Sequence, residues 1–145
     1  MPRRICYAEH QCYRRIRELY LCGITSTPPN REINKSALGA TESVKWQYFP
    51  ETISAIRVLK EQGYKIIAVE QAYGSIELED FKPEIDEQIA FIFGNEVQGV
   101  SNEVMELVDA CIEIPQFGTK HSFNVSVTAA IVLYETYILF KKYLF

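Results

Sequence analysis

The chain has 145 residues, 48% of them apolar and 23% charged, the composition of one folded domain and not of a disordered tract. A net charge of −4 excludes recruitment of nucleic acid by bulk charge, so any RNA contact must be a local patch or be shared with a partner. No run of about 18 uncharged apolar residues is present, and Met1-Pro2-Arg3-Arg4 lacks a following apolar stretch of signal-peptide length; a cytoplasmic chain with no membrane partner is expected.

Residues 1–15 mix Arg3, Arg4, Arg14 and Arg15 with Cys, Tyr, His and Gln and show no period. Leu19-Tyr20-Leu21-Cys22, stopped by Gly23, reads as a buried strand. Pro28-Pro29 marks a loop, and Gly39 limits any helix over residues 33–41. Pro50-Glu51-Thr52 opens a helix with its proline at the first helical position. Ile53, Ile56 and Leu59 form its apolar stripe, Lys60 its solvated flank, and Gly63 its end. Lys65 to Val69 is a strand, and residues 71–87 are an acidic loop. Ile89 to Phe93 is a strand running into Gly94; Ser101 caps a helix from Asn102 to Val108; Cys111 to Ile114 is a strand stopped by Pro115. Asn124 or Ser126 caps a last helix reaching about Lys142. Strand and helix alternate, which predicts an α/β fold with a largely parallel sheet and helices on both faces.

The four cysteines, Cys6, Cys12, Cys22 and Cys111, form no C-x-x-C pair. Cys6, His10 and Cys12 have neither the spacing nor the second ligand pair of a zinc site, so no metal is expected and the thiols read as reduced and mostly buried. Ligands of an open parallel sheet sit beyond the carboxyl ends of its strands, and two such ends carry unusual loops. One is Phe93-Gly94-Asn95-Glu96-Val97-Gln98-Gly99-Val100-Ser101, with two glycines, an amide and a carboxylate. The other runs from Ile114-Pro115 to Ser122-Phe123-Asn124-Val125-Ser126 and delivers polar side chains into a helix N-terminus, where unpaired N–H groups favour anionic or polar groups. Taken singly, these glycines shape turns and these polar residues cap helices. No G-x-G-x-x-G follows a strand, and neither a phosphate loop nor a nucleophile elbow is present, which excludes dinucleotide, P-loop and α/β-hydrolase chemistry.

Jointly, Phe93-Gly94-Asn95-Glu96…Gly99-Val100-Ser101 and Ile114-Pro115…Ser122-Phe123-Asn124-Val125-Ser126-Val127…Leu133-Tyr134-Glu135 resemble motifs 2 and 3 of the SpoU (TrmH-like) RNA 2′-O-ribose methyltransferases, of the SPOUT class. Leu19 to Pro29 and Lys35-Ser36-Ala37-Leu38-Gly39-Ala40 resemble the same family, so the likeness spans roughly residues 16–140. It implies a domain over residues 16–145, preceded by an atypical segment over residues 1–15, with a deep C-terminal trefoil knot holding S-adenosylmethionine. It implies a homodimer through the knotted region and the last helix, and tRNA or rRNA as substrate. By position it assigns Phe93, Gly94, Asn95, Gly99, Ile114, Pro115 and Phe123 to the methyl donor, and Glu96, Ser122 and Asn124 to the active site. Arg17, Lys35 and Lys120 are the expected RNA contacts.

Motif 1 of that family supplies an Asn and, six residues later, an Arg thought to activate the 2′-OH. In register with Tyr20 those places hold Arg3 and Glu9. The sequence therefore also fits an N-terminally altered or truncated member that binds donor or RNA without transferring a methyl group. Loss of the strand that carries motif 1 would strand buried backbone groups at about 1–3 kcal/mol each, unless residues 3–8 supply a substitute.

Overall fold

A computed structural model describes residues 4–9, 16–119 and 123–144, with side chains over 16–119 and 123–142. In chain order the elements are β1 (Arg4–Glu9), β2 (Ile16–Cys22), α1 (Arg31–Ala37), α2 (Ala40–Ser43), β3 (Lys45–Phe49), α3 (Thr52–Glu61), β4 (Lys65–Val69), β5 (Ile76–Glu77), β6 (Ile89–Phe93), α4 (Asn102–Met105), β7 (Ala110–Glu113) and α5 (Val125–Leu144). One seven-stranded sheet has the order β3-β2-β1-β6-β4-β7-β5.

The expected α/β class and largely parallel sheet are what the chain forms. β2 pairs parallel with β3, β4 with β6, β4 with β7, and β5 with β7. β1 differs: it lies between β2 and β6 and runs antiparallel to both. Its register pairs Arg4 with Cys22 and Ile5 with Phe93. Residues 4–9 thus satisfy backbone groups of both neighbours, and the substitute strand exists.

Alternation along the central strands sends side chains to two cores. Ile66, Ala90 and Ile92 pack with Ala55, Ile56 and Leu59 of α3 and with Val100 and Val104. Ile67, Phe91 and Phe93 face the other way and pack with Val125, Ala129, Val132 and Phe140 of α5. Helices therefore cover both faces, as expected. Full burial of Ile56 and Leu59 contributes roughly 1.5–3 kcal/mol apiece, which seats α3 on the sheet. α5 buries one stripe and leaves Val127, Tyr134 and Tyr137 exposed.

Several local expectations shift. Pro50 lies one residue before the α3 N-cap, Glu51, so it sits outside the helix, not at its first position. α4 ends at Met105, three residues early, because Glu106 closes the turn with its N–H on Asn102 and Val104 carbonyls. β7 begins one residue before Cys111. β3 was not legible as a strand: as the sheet edge it stays mostly exposed, and Lys45-Trp46-Gln47-Tyr48-Phe49 shows no clean apolar alternation. The acidic stretch after β4 holds the two-residue β5 and one 3-10 turn, Leu78–Asp80. Gly39 does limit helix, separating α1 from α2 beside Leu38, itself at φ 46. No described helix is long and apolar enough to cross a membrane.

Candidate functional site

Since β6, β4 and β7 are adjacent and parallel, their carboxyl ends open on one place. A shallow cleft, open to solvent, lies there. Val69, Glu70 and Gln71 line it from β4; Phe93, Gly94, Asn95 and Glu96 from β6; Glu113, Ile114 and Gln116 from β7. Phe123, Val125 and Thr128 line it from the start of α5.

The loop after β6 is folded back on itself. Asn95 and Gly99 exchange backbone hydrogen bonds, at 3.2 Å from the Asn95 N–H and 2.8 Å from the Gly99 N–H. Asn95 Oδ1 also accepts the Val97 N–H at 2.6 Å, making a tight Asx turn. Gly94 is needed because a Cβ there would collide with the backbone of Gly99 and Val100; Gly99 is needed because it stands at φ +65 and its Cβ would collide with the Glu70 carboxylate. Two glycines thus bring backbone close to the loop's own backbone and to Glu70. Glu70 holds the loop from β4: Oε2 accepts the Val100 N–H at 3.0 Å and Oε1 the Gln71 N–H at 3.1 Å. Cys111, half-buried on neighbouring β7, donates its S–H to the Glu70 carbonyl at 3.3 Å. Burial pushes the Cys111 thiol up, against the opposing hydrogen bond with the Glu70 backbone and with the nearby charges of Glu70 and Glu113 on its side, so it stays protonated and unreactive at neutral pH.

Of the expected site residues, the structure brings Phe93, Gly94, Asn95, Glu96, Ile114 and Phe123 together around this pocket. Gly99 supports it from behind. Pro115 is half-buried beside it but is not part of the lining. Asn124 is committed to capping α5: its Oδ1 accepts the Ser126 N–H at 2.9 Å and the Ser126 hydroxyl at 2.6 Å. Ser122 and Lys120 lie outside the described residues. Glu96 is exposed and its carboxylate makes no hydrogen bond or ion pair among the described residues.

Arg17 and Lys35, two of the three expected RNA contacts, are not brought to the pocket. Cys22 and Phe93 stand at the same end of the sheet, through their β1 partners, so Arg17 is at the opposite end, where its guanidinium donates to the Tyr64 hydroxyl at 3.3 Å. That hydroxyl holds the Arg17 charge in place and raises its pKa. Lys35 sits on α1 in an exposed pair with Glu32 at 3.1 Å, worth little in water. Among the described residues no His, Cys, Asp and Glu group could hold a metal; Cys6, His10 and Cys12 are not described at side-chain level.

Glu70, Gln71, Glu113 and Thr128 were missed from sequence. A signal for the first two existed: they follow Val69 directly at the carboxyl end of a buried strand, where the same rule that singled out Gly94 to Ser101 applies. Their place at the head of a long acidic stretch hid them.

Comparison with known proteins bears on this site. The profile of the SpoU rRNA Methylase family matches residues 14–134. A tRNA (guanosine(18)-2′-O)-methyltransferase of Borreliella burgdorferi is 34% identical over 105 residues, 72% of this chain and 47% of that relative. The A. aeolicus TrmH/SpoU tRNA modifying enzyme superposes with a TM-score of 0.73 at 25% identity, over 87% of this chain and 62% of that one. An AdoMet-bound rRNA methyltransferase from Sinorhizobium meliloti does so with a TM-score of 0.73 at 25% identity, over 80% of this chain and 43% of that one. The chain spans about half the length of the curated relatives it matches.

Proposed function

This chain belongs to the SpoU rRNA methylase family, and we propose from that membership that it is an S-adenosylmethionine-dependent 2′-O-ribose methyltransferase acting on tRNA or rRNA. The observation that carries this reading is the shared pocket: six residues assigned to donor or active site by resemblance line one cleft at the ends of β6, β4 and β7. The residues fit such a donor. Phe93, Ile114, Phe123 and Val125 offer an apolar wall for an adenine ring, and the carboxylates of Glu96 and Glu113 suit its positively charged amine and sulfur. When bound, the donor would supply an electrophilic methyl group for a ribose 2′-oxygen that gives up its proton, its sulfur leaving as the neutral thioether.

In this reading the chain's own residues act by placement. The Asn95 turn and the Gly94–Gly99 contact fix the loop that presents Glu96 to the cleft. Glu96, with no protein partner among the described residues, is free to accept a proton or to hold a cationic group of a partner. Asn124 orders the first turn of α5, which sets Phe123 and Val125 against the pocket. Ser122 and Lys120 are kept as active-site and RNA contacts on resemblance, with Arg17 and Lys35 as RNA contacts away from the pocket. The trefoil knot belongs to the same reading, formed by the segments of motifs 2 and 3. So does a homodimer covering Val127, Tyr134 and Tyr137, large apolar and aromatic side chains exposed on the side of α5 that the sheet does not cover. A cytoplasmic site of action accompanies such substrates.

Calorimetric titration with S-adenosylmethionine and its demethylated product tests the pocket. Transfer of labelled methyl to bulk unmodified tRNA and rRNA, read as 2′-O-methylnucleosides after digestion, tests the activity. Saturable micromolar binding with transfer is the expected result. Binding without transfer assigns the chain to the donor- or RNA-binding class instead, and no binding by a cooperatively folded chain overturns the donor reading. Light scattering that shows a monomer at micromolar concentration overturns the dimer.

A further inference from the structure

We propose that Glu70 is a positioning residue of this site, the clamp that holds the Gly94–Val100 loop against the end of β4 and so decides where Asn95 and Glu96 stand. The inference rests on the donor reading above and extends it to a residue outside both motifs.

Three observations carry it. First, the carboxylate is doubly engaged: Oε2 takes the Val100 N–H at 3.0 Å and Oε1 the Gln71 N–H at 3.1 Å. At a given distance a carboxylate holds a backbone N–H more strongly than a neutral acceptor does. Second, the contact joins points 30 residues apart, the exit of β4 and the return arm of the loop after β6. Gln71 N–H and Val100 N–H both point at the same group, so the loop cannot swing out without leaving that carboxylate on one backbone donor alone. Third, the fit has no slack. Gly99 stands at φ +65 with its missing Cβ replaced by the Glu70 carboxylate, and Gly94 closes on the same arm from the other side. A side chain at position 99 would be strained at φ +65 and would need the Glu70 carboxylate to move from its place beside the Val100 N–H.

The β4 anchor is itself rigid. The Glu70 N–H donates to the Ile112 carbonyl at 3.0 Å, and the Glu70 carbonyl takes the Cys111 S–H. The clamp therefore transmits the position of the β4–β7 pair to the loop of β6. Asn95 and Glu96 are on the outgoing arm of that loop, tied to the return arm by the Asn95–Gly99 hydrogen bonds. Glu70 touches the loop behind them, so it acts through them.

Substitution separates the parts. Glu70→Ala removes both acceptors. Glu70→Gln keeps the shape but leaves one acceptor, and turns an amide N–H toward a backbone N–H. Hydrogen exchange on the full chain reads the clamp without any donor, and titration with S-adenosylmethionine reads its consequence. Both variants are expected to speed exchange of the Val100 amide by about tenfold or more, with Ile92 and Phe91 amides unchanged, and to weaken donor binding by about tenfold for alanine and about threefold for glutamine. Gly99→Ala adds a check: its cost to donor affinity is expected to be smaller in the Glu70→Ala background than in the wild type, because the collision partner is gone while the strain at φ +65 is common to both.

Unchanged exchange at Val100 overturns the clamp. Faster exchange at Val100 with donor affinity unchanged overturns positioning. Faster exchange at Phe91 and Ile92 as well, in both variants, shows a support of the whole sheet and overturns the assignment. A wild-type chain with no donor affinity overturns the donor reading instead, while the exchange arm still decides the clamp.

Discussion

The two halves of the sheet are built to different standards. In the half made by β6, β4 and β7, every residue of Ile89–Phe93 and most of Lys65–Val69 is buried, with α3 on one face and α5 on the other. In the half made by β2 and β3, the edge strand stays mostly exposed. Beside it the short α1 and α2 leave an open apolar groove lined by Leu19, Leu21, Ile33 and Trp46. The pocket sits on the well-covered half. That is where strand ends are held firmly enough to aim loops, since a cleft of fixed shape needs walls that do not shift. The loops that end β2 and β3 line a separate cleft, with Gly23, Ile24, Pro50 and Glu51 facing the start of α4, and none of the described residues of motifs 2 and 3 except Ser101 reaches it.

The largest test of this contrast is a cavity on the covered side. Phe91 is fully buried between β6 and α5 and packs edge-on against Phe81 at 6.3 Å. Phe91→Ala is expected to cost about 3–5 kcal/mol, measured by chemical denaturation. An effect under 1 kcal/mol would mean that the two halves are packed alike. Next, Gly94→Ala drives a Cβ into the backbone of Gly99 and Val100. It is expected to cost about 1–3 kcal/mol and to abolish donor binding in the titration above. Retained binding would show that the loop has another closed form.

A pH test reads the weaker half. Tyr20 is buried, and burial together with the neighbouring Glu18 pushes its phenol from 10.0 up to about 12. Between those values the unfolded chain has lost the proton and the folded chain keeps it, so stability must fall as pH rises through that window. The loss is on the order of 1–2 kcal/mol by its upper end, and Tyr20→Phe should flatten that part of the stability profile. The smallest effect is a gain. Leu38 is 90% exposed at φ 46, the left-handed region that side chains avoid. Leu38→Gly is expected to stabilise by up to about 1 kcal/mol in thermal melts. A loss there would mean that Leu38 packs on something outside the described residues.

What could be read from the sequence alone is what local rules control. Period and punctuation placed α3 between Pro50 and Gly63, the buried run Ile89–Phe93, and the cap of α5 at Asn124 or Ser126, of which the structure selects Asn124. The joint pattern of Gly94, Asn95, Glu96, Ile114 and Phe123 pointed to one site, and those residues do meet. Contacts between distant residues were not readable, because no local rule specifies them. The sequence could not show that residues 4–9 run antiparallel between β2 and β6, since strand direction depends on which neighbours have open backbone groups. Nor could it show that Lys45–Phe49 is an edge strand, which has too little burial to impose a pattern. Glu70 is the clearest case. In sequence it is one of many acids before Glu87; only the adjacency of β4 and β6 brings its carboxylate to the Val100 N–H. Its role comes from a backbone donor 30 residues away, and tertiary packing alone creates that meeting.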